Sequence, residues 1–239
     1  MQTIKLSDSS GIRGLKKEYR LKRVKIINRL KEFDRFYSES CSWFFEDRKM
    51  ELREVDKSDD ERIFEELCFC ILTANASAEM GMKAIDAIRP VLINGSAEEM
   101  TEKLKGIYRF NVLRPAYIVH TRDYLNTFGF RLKKKIESFE DMEKLRDFFA
   151  FNKGIKGLGY KEASHFLRNI GLKGYAILDK HILNSLVEFK VIDEIKMPMT
   201  RKVYREIEQK LRIFSNEIEI PMDELDLLLW SRRNGKIMK

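Results

Sequence analysis

Apolar residues recur along the chain at intervals of three and four, and two-residue alternation is almost absent, so the pattern predicts an all-α fold. The opening 14 residues, with Ser7 to Ser10, Gly11 and Gly14, read as loose. Beyond them Leu15, Tyr19, Ile26, Leu30 and Phe33 share one side of a predicted helix whose other sides carry most of the local lysines and arginines. Residues 59–72 resume the pattern behind Asp59, Asp60 and Glu61, acidic residues suited to a helix N-terminus. The small and polar residues 73–78 predict a turn. Further helices are predicted over 79–88, 97–104, 113–128, 139–149, 161–170, 180–189, 201–214 and 222–233, with breaks at Pro90, Gly95, Gly106 and Gly129.

A chain of 239 residues, 44% hydrophobic with four prolines, can bury a substantial core as one domain or as two closely packed small ones. Its net charge of +8 resides in one segment: residues 1–31 hold ten Lys/Arg against two Asp/Glu, leaving 36 of each sign in the remainder. That cationic helix has two readings, a solvated face over a core stripe or a contact to a nucleic-acid backbone. No apolar run approaches the roughly 18 residues of a bilayer span, and no secretion signal is legible, which predicts a cytoplasmic protein with no membrane partner. Cys41, Cys68 and Cys70 are an odd set and read as packing residues; with no second Cys/His cluster beside Cys68 and Cys70, no metal is expected.

The chemistry concentrates between Gly154 and His181. Gly157 and Gly159, separated by Leu158, suit a tight turn with positive φ and close backbone approach. Free amides in such a turn, leading into a helix N-terminus, form an anion-binding nest that fits a phosphate, although an ordinary interhelical turn reads the same way. Leu158 would anchor the tip and Ala163 would let the following helix pack closely. Lys161 supplies a potential amine nucleophile. Asp179 supplies a carboxylate, and its place before Lys180-His-Ile-Leu also suits a helix N-cap. His165 and His181 read as polar residues on helix faces and His120 as structural.

Taken whole, the string from Ile155 through Ala163, followed by a helix and by Ile177-Leu-Asp-Lys-His181, resembles the helix-hairpin-helix DNA glycosylase superfamily. Residues 157–171, Gly-Leu-Gly-Tyr-Lys-Glu-Ala-Ser-His-Phe-Leu-Arg-Asn-Ile-Gly, with Asp179 eighteen positions after Lys161, are similar to the type 2 8-oxoguanine DNA glycosylase/lyases of archaea and bacteria. Three further blocks match that family: residues 66–75, Tyr108-Arg-Phe110 with residues 114–119, and residues 224–230 through 235–239. The cationic segment before residue 31 has no matched counterpart.

The resemblance implies two helical subdomains with the lesion cleft between them, one from residues 1–60 with 174–239, the other from 61–173 and ending in the helix-hairpin-helix. It implies that Lys161 attacks the sugar C1′ of a flipped nucleotide and forms a Schiff base that leads to strand cleavage, with Asp179 as its carboxylate partner. An amine attacks only when unprotonated, and free lysine titrates near ~10.4, so such a site has to favour the neutral amine, for instance through desolvation and cations such as Lys156. Phe110 and Trp230 match positions that stack on the extruded base, although core aromatics read the same way. Lys239, through the carboxylate that ends the chain, matches a reader of the purine edge. Gly157, Gly159 and Asn75 match DNA contacts, with Asn75 filling the vacated space or meeting the opposite base. The implied partner is double-stranded DNA containing 8-oxoguanine, which would draw the protein to the nucleoid; no cofactor, metal or obligate protein partner is implied, because the amine replaces a metal-bound water. Two alternatives stay open: a glycosylase for an oxidised pyrimidine or alkylated purine using the same pair, and a noncatalytic hairpin module that only holds DNA, against which Lys161 speaks.

Overall fold

The computed structural model describes residues 9–47, 49–237 and 239. Among them the chain forms eleven α-helices, one short 3-10 turn at Arg89–Val91 and one two-stranded antiparallel sheet. It divides into two compact units, one built from residues up to Glu32 with Leu172–Lys239, the other from Phe33–Gly171. No helix among the described residues is long and apolar enough to cross a membrane.

The Phe33–Gly171 unit is organised around α2 (Asp59–Thr73). Ser58 and Glu61 close a reciprocal capping box at its start, with Asp59, Asp60 and Glu61 in the first turn, as the sequence predicts. From Arg62 onward every residue of α2 is buried, the mark of a helix surrounded on all sides. Packed on it are α3 (Ala78–Ile88), α5 (Leu113–Asn126), α6 (Leu132–Glu137) and α8 (Tyr160–Asn169); α4 (Ala97–Leu104) packs on α3 and α5, and α7 (Met142–Phe151) on α8.

Two local expectations are corrected. The predicted helix over 139–149 runs over 142–151, and α6 stands before it where none was predicted. Residues 41–54, assigned no structure by periodicity, form a hairpin of β1 (Cys41–Glu46) and β2 (Lys49–Glu54), paired from Cys41 opposite Glu54 to Glu46 opposite Lys49. Trp43 is buried edge-on against Phe33, and its carbonyl accepts from Arg89. The guanidinium of Arg62 donates to the carbonyls of Phe36 and Cys41. These contacts place residues 33–60 in the unit that contains α2.

The other unit holds α1 (Ser9–Ser38, as far as Glu32), α9 (Lys180–Glu188), α10 (Arg201–Glu217) and α11 (Met222–Asn234). The expectation of 14 loose residues is corrected from Ser9 on, where α1 is helical through Gly11 and Gly14; residues 1–8 lie outside the described residues. A glycine inside a helix costs about 0.5–1 kcal/mol relative to alanine. Docking of α1 offsets this: Leu15 and Ile26 are buried, and Tyr19 donates to Glu224 at 2.7 Å.

Candidate active site

The hairpin between α7 and α8 is fixed from α5 and from within. The Lys156 amide donates to the buried Thr121 hydroxyl, the Gly154 amide to the Asn152 side chain, and His120 Nε2 lies 3.1 Å from the Lys153 carbonyl oxygen, a structural role as expected. Leu158 and Ala163 are buried, as predicted for an anchored tip and a tightly packed helix.

The two hairpin glycines differ. Gly157 has φ +81°, and a Cβ there would lie 2.8 Å from the Tyr117 ring, 3.1 Å from Ile71 and 3.2 Å from Arg114. Gly159 sits at φ −98° as the exposed N-cap of α8, with only the Glu162 carboxylate near. The positive-φ requirement therefore rests on Gly157 alone.

Lys161 lies in the first turn of α8, partly exposed, with its amine 2.9 Å from Glu162 Oε1. The other carboxylate oxygen of Glu162 accepts the Gly159 amide at 3.2 Å, the half of a capping box that glycine permits. One carboxylate thus ties the amine to the hairpin amide that a phosphate would seek. The charged group beside the amine is an anion, where the sequence had suggested cations such as Lys156. Tyr160, next in line, secures α8 to α7: its hydroxyl donates to Glu143, and the Arg146 guanidinium lies over its ring at 4.4 Å.

Two arginines join Asn75 to Phe110, and one of them, Arg114, reaches the hairpin. The turn after α2 ends in Asn75, exposed and left-handed at φ +61°, a conformation asparagine tolerates better than most residues. Arg109 donates to the Asn75 carbonyl at 2.7 Å and the buried Arg114 to the Ala74 carbonyl at 3.0 Å. Both guanidinium groups lie near the half-buried Phe110 ring, at 4.3 and 5.3 Å from its centroid. Arg114 is also one of the three groups, with Tyr117 and Ile71, that a Gly157 side chain would press against, so it joins turn, aromatic and hairpin. Sequence reasoning assigned no role to Glu162, Arg109 or Arg114. An acid three residues after the N-cap was a legible capping signal for the first; nothing local announced the arginines.

Asp179, Trp230 and Lys239 belong to the unit of α9–α11. Asp179 is the N-cap of α9, its Oδ1 accepting the Ile182 amide at 2.8 Å, while Oδ2 has no partner among the described residues. The extended segment before it is held by α10 and α11: Glu208 accepts the Ala176 amide, Asp226 the Ile177 amide, and the Tyr204 hydroxyl accepts from Leu178 while donating to the Ala176 carbonyl. Three buried polar side chains thereby set where α9 begins. Trp230, near the end of α11, is half-buried, and Lys239 is 4% exposed. No group of three or more metal-ligating side chains occurs among the described residues.

A sequence model of the 8-oxoguanine DNA glycosylase family, of the helix-hairpin-helix type, matches residues 45–220. The 8-oxoguanine DNA glycosylase/AP lyase of Methanocaldococcus jannaschii is 40% identical over 211 residues, covering 88% of this chain and 99% of that protein. The enzyme of the same name from Fusobacterium nucleatum is 39% identical, covering 87% and 96%. A crystal structure of the M. jannaschii glycosylase/lyase in complex with a 15mer DNA containing 8-oxoguanine superimposes with a TM-score of 0.78 at 39% identity, over 94% of this chain and 99% of that one. The all-α architecture with its small sheet, the hairpin followed by Lys161 and this extent of identity agree: the chain belongs to the helix-hairpin-helix family of 8-oxoguanine DNA glycosylases.

Proposed function

We propose that the protein excises 8-oxoguanine from double-stranded DNA and cleaves the abasic strand, with Lys161 as nucleophile. The observation that carries the reading is the position of the Lys161 amine: two residues past the hairpin N-cap Gly159, partly exposed, with its ion-pair partner Glu162 at 2.9 Å as the nearest acceptor for the proton the amine has to lose. In this scheme bound DNA expels water from the ion pair, which favours the uncharged partners; the ammonium then passes its proton to Glu162 Oε1, and the neutral nitrogen attacks C1′. The bond to N9 of the base breaks, its electron pair leaving with the base, which is then protonated. Opening of the sugar ring gives a Schiff base. Loss of a C2′ proton then expels the 3′ phosphate by β-elimination, and hydrolysis frees the lysine. Asp179 offers Oδ2 to the positive charge that develops on the sugar, while Oδ1 keeps the side chain oriented as the cap of α9.

In the same reading Phe110 and Trp230 stack on the extruded purine, Lys239 reads its edge, and Gly157, Gly159 and Asn75 contact the DNA. Organic chemistry by the amine needs no metal or cofactor. Borohydride reduction during turnover tests the assignment: the parent protein should become covalently linked to a duplex bearing 8-oxoguanine, and Lys161→Gln should not. A Lys161→Gln variant that traps as well as the parent would remove the nucleophile from this scheme.

A further inference from the structure

We infer that the outward face of α1 is a second DNA-binding surface, which holds the phosphodiester backbone of duplex DNA independently of any lesion. This goes beyond excision and rests on the proposed function only in the choice of DNA as the polyanion. Arg13, Lys17, Arg20 and Lys31 are exposed and fall within about 60° of arc on the helix, opposite the side that buries Leu15, Ile26 and Phe33. Among the described residues none of the four is engaged in an ion pair or hydrogen bond. The other cations of this stretch are used internally: Lys16 with Glu219, Lys22 with Glu18, Arg29 with Glu32, and Arg23 with the Tyr19 hydroxyl. Exposed Lys25 flanks the stripe.

An ordinary solvated helix face mixes charges of both signs. Between Ser9 and Lys31 the sole acid is Glu18, and it is engaged by Lys22 and Arg232. Like charges three and four residues apart, as in Arg13, Lys17 and Arg20, destabilise a helix. A polyanion laid along the face removes that cost. Arg13, Lys17 and Arg20 stand together and Lys31 lies further along, with exposed Val24 between them on the same face, so the four cations span about 27 Å at 1.5 Å per residue, or roughly eight base pairs at 3.4 Å each. Residues 32–239 carry balanced charge, so the net charge of the chain resides in the segment that forms this face. The excess positive charge is therefore concentrated on α1, and its sign suits a phosphate backbone.

The test is the salt dependence of binding to an undamaged duplex. Each phosphate contact contributes a slope of about 0.9 in log K against log salt, so Arg13→Gln/Lys17→Gln/Arg20→Gln/Lys31→Gln should lower the slope by about 2–3.6 and weaken binding at least tenfold near ~0.1 M salt. A variant that exchanges Lys and Arg at the same positions should keep the parent slope, which separates charge from helix damage. Excision of 8-oxoguanine in single turnover at saturating DNA should be unchanged. An unaltered slope in the quadruple Gln variant overturns the inference, as would loss of binding to anionic vesicles with no change on duplex DNA. If instead the parent neither traps nor excises, the function proposed above fails, while the slope still reports on α1.

Discussion

Replacing each hairpin glycine by alanine should produce very different outcomes, although the Gly-Leu-Gly pattern presents them as equivalent. At position 157 the left-handed backbone costs an alanine roughly 1–2 kcal/mol. Its Cβ would meet Tyr117, Ile71 and Arg114 at 2.8 to 3.2 Å, and overpacking of that kind costs about 1–3 kcal/mol. The reduced freedom of the unfolded chain returns about 0.4–1 kcal/mol, leaving a net loss of roughly 2–4 kcal/mol. At 2–4 °C per kcal/mol, the unfolding midpoint should fall by on the order of 5–15 °C. At position 159 the backbone is ordinary, and the neighbouring atom is the movable end of Glu162, so stability should change by no more than about 1 kcal/mol, mostly from the poorer N-cap. Its side chain would nonetheless crowd the amide edge proposed to receive a phosphate, so duplex affinity should fall while the fold holds. Guanidinium unfolding followed by circular dichroism measures the first quantity and titration with duplex DNA the second. Equal destabilisation by both substitutions, or a loss below about 1 kcal/mol for Gly157→Ala, would refute the asymmetry.

Glu162→Gln keeps the shape of the pair but removes the proton acceptor. Schiff-base trapping in single turnover should slow by about 10²-fold or more with duplex affinity retained, and unchanged rates would exclude the carboxylate from amine activation. Burial, opposed by the Arg146 guanidinium and aided by the Glu143 acceptor, pushes the Tyr160 phenol up to about 12 from its ordinary 10.0. Because the folded value is the higher one, this contribution to stability is intact below pH 10 and is lost as the pH rises toward 12. Tyr160→Phe should therefore flatten part of the alkaline fall in stability, and identical pH profiles for parent and variant would contradict it. All three thiols are buried, and desolvation holds the Cys68 thiol well above its usual range. A disulfide reagent should therefore label essentially none in the native protein and three in guanidinium; prompt native labelling of Cys68 would show the α2 core to be open.

The helices were legible where an apolar stripe, or an apolar run behind an N-terminal signal, marks them. In α2 the acidic first turn and the apolar run are sufficient, and the small residues 73–78 mark its end. The β-hairpin was missed because its second strand, Lys-Met-Glu-Leu-Arg-Glu, does alternate but is written in residues that favour helices, while its first strand buries three consecutive residues and shows no period of two. What decides the matter is tertiary: Trp43 finds Phe33, and Arg62 and Arg89 find carbonyls of the hairpin and of α1. Likewise Gly11 and Gly14 argued locally against helix, and docking of α1 overrode them.

The candidate site divides along the same line. A side chain whose role follows from its own helix could be read, as with Asp179, where Asp before Lys-His-Ile-Leu announces an N-cap and the structure shows one. The arrangement behind Asp179 could not be read, because Glu208, Tyr204 and Asp226 reach the backbone of residues 176–178 from 26 to 49 positions away. Arg114 is the sharper case. From sequence it is a basic residue in the first turn of a helix, where the macrodipole gives a cation no advantage. Buried, it satisfies the Ala74 carbonyl and, with Tyr117 and Ile71, closes over the space that Gly157 leaves open, so the missing side chain and the long one are complementary parts of one contact. The hairpin glycine then has a reason beyond its own φ: it vacates the volume through which an arginine connects the Asn75 turn, the Phe110 ring and the segment that carries Lys161.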